Sequence, residues 1–129
     1  MYRFLSYPSI FIDVPGQKVT VTMQKNLDHY YASAPGNFSV YLWTADYKTS
    51  WMMGTINDSP APTLSLYPVT FQVPTALSGG NYVVQTVYYT NNPGAPPNFY
   101  QCSDVVILSS NATDIEEAGK QHHHCTKHN

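Results

Sequence analysis

Apolar residues along this chain recur mostly at every second position, and nowhere do they form a helical stripe of useful length. Residues 18–23 (KVTVTM) set Val19, Val21 and Met23 on one face and Thr20 and Thr22 on the other, the pattern of a half-buried strand. Residues 38–43 alternate in the same way, with Phe38, Val40 and Leu42 inward and Tyr41 and Trp43 outward. Residues 69–73 (VTFQV) make a third such run, stopped by Pro74, and residues 10–14 a short apolar run ended by the turn Pro15-Gly16. Residues 51–56 predict a further short strand, weakened by Gly54. The strongest pair is 82–89 and 99–108, rich in the Val, Ile and Tyr that suit a pleated surface. Between them, Asn91-Asn92-Pro93-Gly94 and Pro96-Pro97 forbid helix, and the prolines cannot donate to a ladder. The unit predicts a long antiparallel hairpin whose loop projects from one end of a sheet.

The intervening segments are turn-like: residues 24–36, which hold His29, Tyr30 and Tyr31 ahead of Pro35-Gly36, residues 57–62, and Ser78-Gly79-Gly80. Short strands at regular spacing with turns between them predict an all-β fold, an immunoglobulin/fibronectin III-like antiparallel β-sandwich of about seven strands. Residues 1–108 would form the sandwich domain. Residues 109–129 are polar and His-rich, with a short helical turn over 114–120, and predict a mobile C-terminal tail.

Composition narrows the class of partner. The 129 residues suit one domain with a real core. Only 11% are charged, against roughly 25% in ordinary soluble domains. A net charge of −2 without a basic run argues against nucleic acid and against anionic membrane surfaces. No stretch approaches the ~18–20 apolar residues of a membrane span. The opening MYRFLSYPSIFIDVPG is broken by Arg3, Ser6, Pro8 and Asp13 and does not read as a signal peptide. Three glycosylation sequons, at Asn37, Asn57 and Asn111, nevertheless favour a secretory, extracellular route. Two cysteines, Cys102 in a strand and Cys125 in the tail, fit one disulfide worth ~3 kcal/mol by loop closure, or Cys102 pairs with a cysteine outside this sequence.

Candidate chemistry is sparse. There is no phosphate-binding glycine loop, nucleophile elbow or paired Cys-x-x-Cys spacing. Asp13, Asp28, Asp46, Asp58 and Asp104 are scattered without an obvious partner, so a glycosidase-type acid pair is not expected. Asp104 alternates with Cys102 and Val106 in a strand and is expected to face inward, its carboxylate satisfied by backbone donors. His29 reads either as an exposed loop imidazole or as a ligand. The tail cluster His122-His123-His124, Cys125 and His128 offers opportunistic metal donors. Tyr30, Tyr31, Trp43, Trp51 and Tyr47 are either sheet-face packing or rings that stack on a pyranose face.

The order of these elements resembles lytic polysaccharide monooxygenases of the chitin-binding type-4 kind. In that family a VTVTW-type strand leads into a loop carrying the second copper histidine, and an aromatic-aliphatic strand follows. Val19-Thr20-Val21-Thr22-Met23, His29 and Phe38-Ser39-Val40-Tyr41-Leu42 stand in that order here. The family's later strands resemble Val69–Val73, Gly80-Asn81-Tyr82-Val83-Val84 and Asn98-Phe99-Tyr100-Gln101 with Asp104-Val105. The resemblance spans most of residues 18–108. It implies a copper site at the loop end of the sandwich, with His29 as the second ligand and Phe99 as the axial ring, Tyr100 being a weaker candidate for that ring. The chain begins Met1-Tyr2, so the family's amino-terminal copper-binding His is absent from it. With His29 alone, copper would be held weakly and no oxidative chemistry is expected. The expectation is a secreted polysaccharide-binding domain of monooxygenase-like fold; the alternative is an extracellular structural β-sandwich subunit that self-associates.

Overall fold

The computed structural model describes the backbone of residues 2–4 and 10–108 and the side chains of residues 14–108. Eight strands form: β1 (Tyr2–Phe4), β2 (Ile10–Asp13), β3 (Lys18–Lys25), β4 (Asn37–Thr44), β5 (Ser50–Asn57), β6 (Leu66–Gln72), β7 (Gly80–Tyr89) and β8 (Asn98–Ile107). They make two layers, a three-stranded sheet in the order β1-β3-β6 and a five-stranded sheet in the order β2-β8-β7-β4-β5. The predicted all-β sandwich is therefore the observed fold, with eight strands where about seven were expected. One pairing is not antiparallel: β2 lies parallel to β8, Ile10 opposite Asp104 and Asp13 opposite Ile107.

The period-two pattern sorts the faces of β3 and β4 as expected. Val21 and Met23 of β3 and Tyr67 and Val69 of β6 meet Phe38, Val40 and Leu42 of β4, Tyr82, Val84 and Tyr88 of β7, and Val105 and Ile107 of β8 in one core. Each such apolar side chain stabilises by roughly 1.5–3 kcal/mol relative to exposure, so the alternation supplies most of the drive for layering. Phe38 stacks between Tyr67 and Tyr88, with ring centroids 4.2 and 4.3 Å away.

Two expectations change. β6 starts at Leu66, not at residue 69, and carries Pro68 opposite Thr22 of β3. The strand is at the edge of its sheet, where a residue without an N–H costs no ladder bond on its outer side. Asp104 faces away from the core: it pairs with Val83, one step out of register from the inward Val105 and Ile107. Cys102 is disulfide-bonded; Cys125, its expected partner, lies outside the described residues, as do Asn111 and the whole of 109–129.

The turn before β4 depends on one glycine. Gly36 packs so closely against the end of β7 that a Cβ there would overlap the Tyr89 carbonyl and the Thr90 backbone. Its own carbonyl accepts from the Asp58 N–H at 2.9 Å, joining the β3–β4 loop to the β5–β6 connection. Replacing Gly36 by Ala forces backbone apart, and overpacking of this kind costs ~1–3 kcal/mol. Gly36→Ala is expected to lower the thermal midpoint by several degrees, whereas Gly94→Ala, whose Cβ would meet only the Asn92 Oδ1 at 3.4 Å, should leave it near wild type; scanning calorimetry checks both.

Candidate functional site at one end of the sandwich

The last residues of β3, β5 and β7 and the first residues of β4, β6 and β8 lie at the same end of the sandwich, as their registers require. Three segments cap that end. The 26–36 loop carries His29. The hairpin loop 90–97 is folded on itself by bonds from the Thr90 N–H to the Pro97 carbonyl and from the Ala95 N–H to the Asn92 carbonyl. It also grips the first loop, because Asn91 Nδ2 donates to the Pro35 carbonyl and Asn92 Nδ2 to the His29 carbonyl at 3.0 Å.

Beneath these loops sits a buried ionic hub. Lys25 continues the inward series Val21, Met23 and its side chain is 0% exposed. Its Nζ lies 2.8 Å from Asp58 Oδ1 and 2.9 Å from Asp28 Oδ1, and it also donates to the Ser59 and Ala61 carbonyls at 2.9 and 3.2 Å. The ammonium further stands 5.3 Å from the Tyr67 ring centre. Burial alone would lower the Lys25 pKa, but the bonds to Asp58 and Asp28 outweigh it and hold the ammonium well above its ordinary value. Asp58, whose side chain is also 0% exposed, accepts the Tyr88 hydroxyl at 2.6 Å on Oδ2 and the Ser59 N–H at 2.8 Å on Oδ1. Burial, and then that bond to Asp58, push the Tyr88 hydroxyl far up, so it stays a donor. Asp28 is half exposed and its Oδ1 also accepts the Tyr30 N–H; burial opposes its ionisation, but the Lys25 bond lowers its pKa overall.

Every charge in the hub is thus matched, and Asp58 has no lone pair directed at a reacting group. The cluster is structural chemistry: it fixes where the 26–36 loop leaves β3. What it positions is His29. The imidazole stacks on Phe99 at 5.5 Å between ring centres with planes 8° apart, and lies 6.3 Å from the Tyr88 ring. Its backbone N–H donates to the Tyr88 hydroxyl. Its Nε2 is buried and has no hydrogen-bond partner among the described residues. Burial chiefly pushes its pKa down, favouring the neutral ring whose nitrogen lone pair is available to a Lewis acid or a donor.

His29 and Phe99, proposed from sequence, are therefore brought together. Tyr30 and Tyr31 remain half-buried in the same loop. Trp43 is elsewhere, six residues along β4 from Asn37, which is about 20 Å at strand rise, and on the outer face of the five-stranded sheet. Asn37 and Asn57 are direct cross-strand neighbours in β4 and β5. Sequence reasoning missed the hub, treating Asp28 and Asp58 as unpartnered. The available signal was Lys25 itself, since a lysine in the inward register of a strand requires an anion.

No protein-family model matches the sequence, and no curated protein sequence matches it. The fold has solved relatives. A superoxide reductase (neelaredoxin) from Ignicoccus hospitalis is similar at a TM-score of 0.57 and 11% identity, over 83% of this chain and 80% of that one. A lytic polysaccharide monooxygenase from Kitasatospora papulosa is similar at 0.52 and 14%, over 77% of this chain and 51% of that one. A cellulose-active polysaccharide monooxygenase from M. thermophila is similar at 0.52 and 12%, over 78% and 54%. The chain spans about half the length of these two monooxygenases. At such identities the likeness defines a class of fold, a monooxygenase-like β-sandwich, and nothing finer.

Copper tests poorly against the residues present. Among the described residues no group of three or more His, Cys, Asp or Glu could hold a metal ion. His29 offers one unpartnered nitrogen beside one aromatic ring, a fraction of a three-nitrogen donor set.

Two outcomes follow from the hub. Lys25→Met leaves the Asp58 carboxylate buried without its cation, and loss of one partner of such a pair costs ~3–5 kcal/mol; urea unfolding should show a midpoint shift of that size, larger than for Lys48→Met on the surface. The second concerns acid. Unfolded His29 titrates near 6.5, whereas the folded value lies lower, so its contribution is present above about pH 6.5 and is lost as pH falls through the folded pKa. The urea midpoint should drop between pH 7.5 and 5, and His29→Gln should flatten that drop.

Proposed function

We propose that this chain is an extracellular polysaccharide-binding domain built on the monooxygenase-like sandwich, whose His29–Phe99 end is a vestigial or partial copper-binding position. The observation that carries the reading is the parallel stack of His29 on Phe99 with Nε2 left unpartnered. The shared order of the strand motifs around that histidine supports it, and so does likeness of fold to enzymes named as polysaccharide monooxygenases. The fold alone supports it no more than it supports a superoxide reductase; the ordered motifs and the stacked ring pair favour the polysaccharide side. With His29 the one imidazole among the described residues, the reading is of a domain that binds polysaccharide. Secretion is part of the proposal, motivated by the sequons and the low charge.

Retention on insoluble chitin, cellulose or pectin is the expected behaviour, and a protein that stays in the supernatant with all three overturns the reading for those polymers. Calorimetric titration with Cu(II) should give weak binding that His29→Ala removes. Copper binding that survives His29→Ala and disappears when His122, His123 and His124 are changed to Ala ends the copper part of the proposal. Because Asn37 and Asn57 oppose each other with Cβ atoms roughly 5 Å apart, one glycan at most is expected at that pair in protein from a eukaryotic secretory host. Mass spectrometry before and after glycan removal counts it.

A further inference from the structure

The outer face of the five-stranded sheet holds a second polar anomaly. At β4, β7 and β8 the outward positions are Tyr41 and Trp43, then Gln85, Val87 and Tyr89, then Asn98 and Tyr100. Together with Ser50 they line an open groove of about 270 Å³. Gln85 is at its floor, 2% exposed on the side of the sheet away from the core. Its Oε1 accepts the Trp43 Nε1–H at 2.9 Å. An indole nitrogen can only donate, so this bond fixes which end of the amide is oxygen. The Nε2 group that remains is buried and has no acceptor among the described residues. A buried donor left without a partner costs ~1–3 kcal/mol, so an acceptor entering the groove would be rewarded there.

The walls describe that acceptor. Tyr41 and Tyr89 close one side through a 2.9 Å bond between their hydroxyls, and Asn98 Nδ2 donates to the Tyr100 hydroxyl at 3.2 Å. The Trp43 ring is braced by Tyr47, with centroids 5.9 Å apart and planes at 56°. None of the described lining residues is charged, which disfavours an ionic ligand. Flat aromatic walls together with hydroxyl and amide groups suit a molecule with apolar ring faces and neutral hydroxyl edges. The volume is just below that of drug-sized sites, roughly 300–1,000 Å³, enough for one or two small rings.

We propose that this groove binds a neutral pyranose unit of a glycan chain, a ring face lying on Trp43 and a sugar oxygen accepting from Gln85 Nε2. The inference deepens the polysaccharide-binding reading and rests on it for the class of ligand, but its two contact residues, Trp43 and Gln85, lie away from His29 and Phe99. It makes the sheet face a sugar-binding surface.

Isothermal titration calorimetry of the full-length protein with cellohexaose, chitohexaose and mannohexaose at pH 8 tests it. Saturable binding is expected for at least one of them. Trp43→Ala and Gln85→Glu should each weaken that binding at least ten-fold. The glutamate keeps the shape and the acceptor for Trp43 Nε1–H while removing the amide donor, so it probes the donor without emptying the site. Thr20→Ala, which removes a hydroxyl paired with Thr70 on the other sheet, is the unaffected control, and circular dichroism verifies folding of each variant. Absence of saturable binding by all three sugars overturns the proposal, as does binding that either groove variant retains at full strength. The two readings fail separately. Polymer retention that persists in both groove variants removes the groove alone. Soluble-sugar binding lost in both variants, by a protein that no polymer retains, removes polymer binding and keeps the groove.

Discussion

The Lys25–Asp58 pair is the constraint on which the loop end of this molecule depends. A strand that alternates Val21, Met23, Lys25 delivers an ammonium into the layer where its neighbours bury methyl groups. Desolvating that charge is far costlier than any single apolar contact is favourable, unless an anion and further acceptors are in place. Asp58 provides the anion directly after β5, Ser59 and Ala61 provide carbonyls, and Tyr88 secures the second carboxylate oxygen. Three segments that are distant in sequence, around Lys25, Asp58 and Tyr88, are thereby tied together about one ammonium. The 26–36 loop inherits its course from that knot, through Asp28 on one side and the Gly36 carbonyl on the other.

The rest of the site follows from that anchoring. His29 reaches the Phe99 ring because its own backbone is held by the Tyr88 hydroxyl and by Asn92 from the hairpin loop. The hub has no free valence and so no chemistry of its own. It leaves the imidazole Nε2 as the unmatched group at this end. On the sheet face the same logic isolates Gln85 Nε2, since the matching oxygen is committed to Trp43. A fold with few charges marks its ligand-facing places through such unpartnered polar atoms rather than through clusters of ionised side chains.

Monooxygenase-like architecture and saccharide recognition are separable in this chain. The sandwich is shared with proteins of different named activities, so it is a scaffold and not a function. The scaffold carries two places that bear on function, the His29–Phe99 stack at its end and the aromatic groove that runs from there along its outer face to Trp43.

The period-two pattern by itself determined the sandwich class, the hairpin and the inward faces of β3 and β4, Val21 and Met23 with Phe38, Val40 and Leu42, because burial of every second side chain is a local property of an extended chain. It also ordered His29 and Phe99 around strands of the right type. It misjudged the start of β6, since Pro68 reads as a strand breaker until an edge position removes the need for its N–H, and it turned Asp104 inward, since Val105 and Ile107 fix the opposite parity. Only the tertiary structure joined Lys25 to Asp28, Asp58 and Tyr88, and only it set Trp43 beside Gln85. Those contacts cross up to 42 residues of chain, and the energy that selects them, the cost of an unmatched buried charge or donor, has no value until the fold has removed the water.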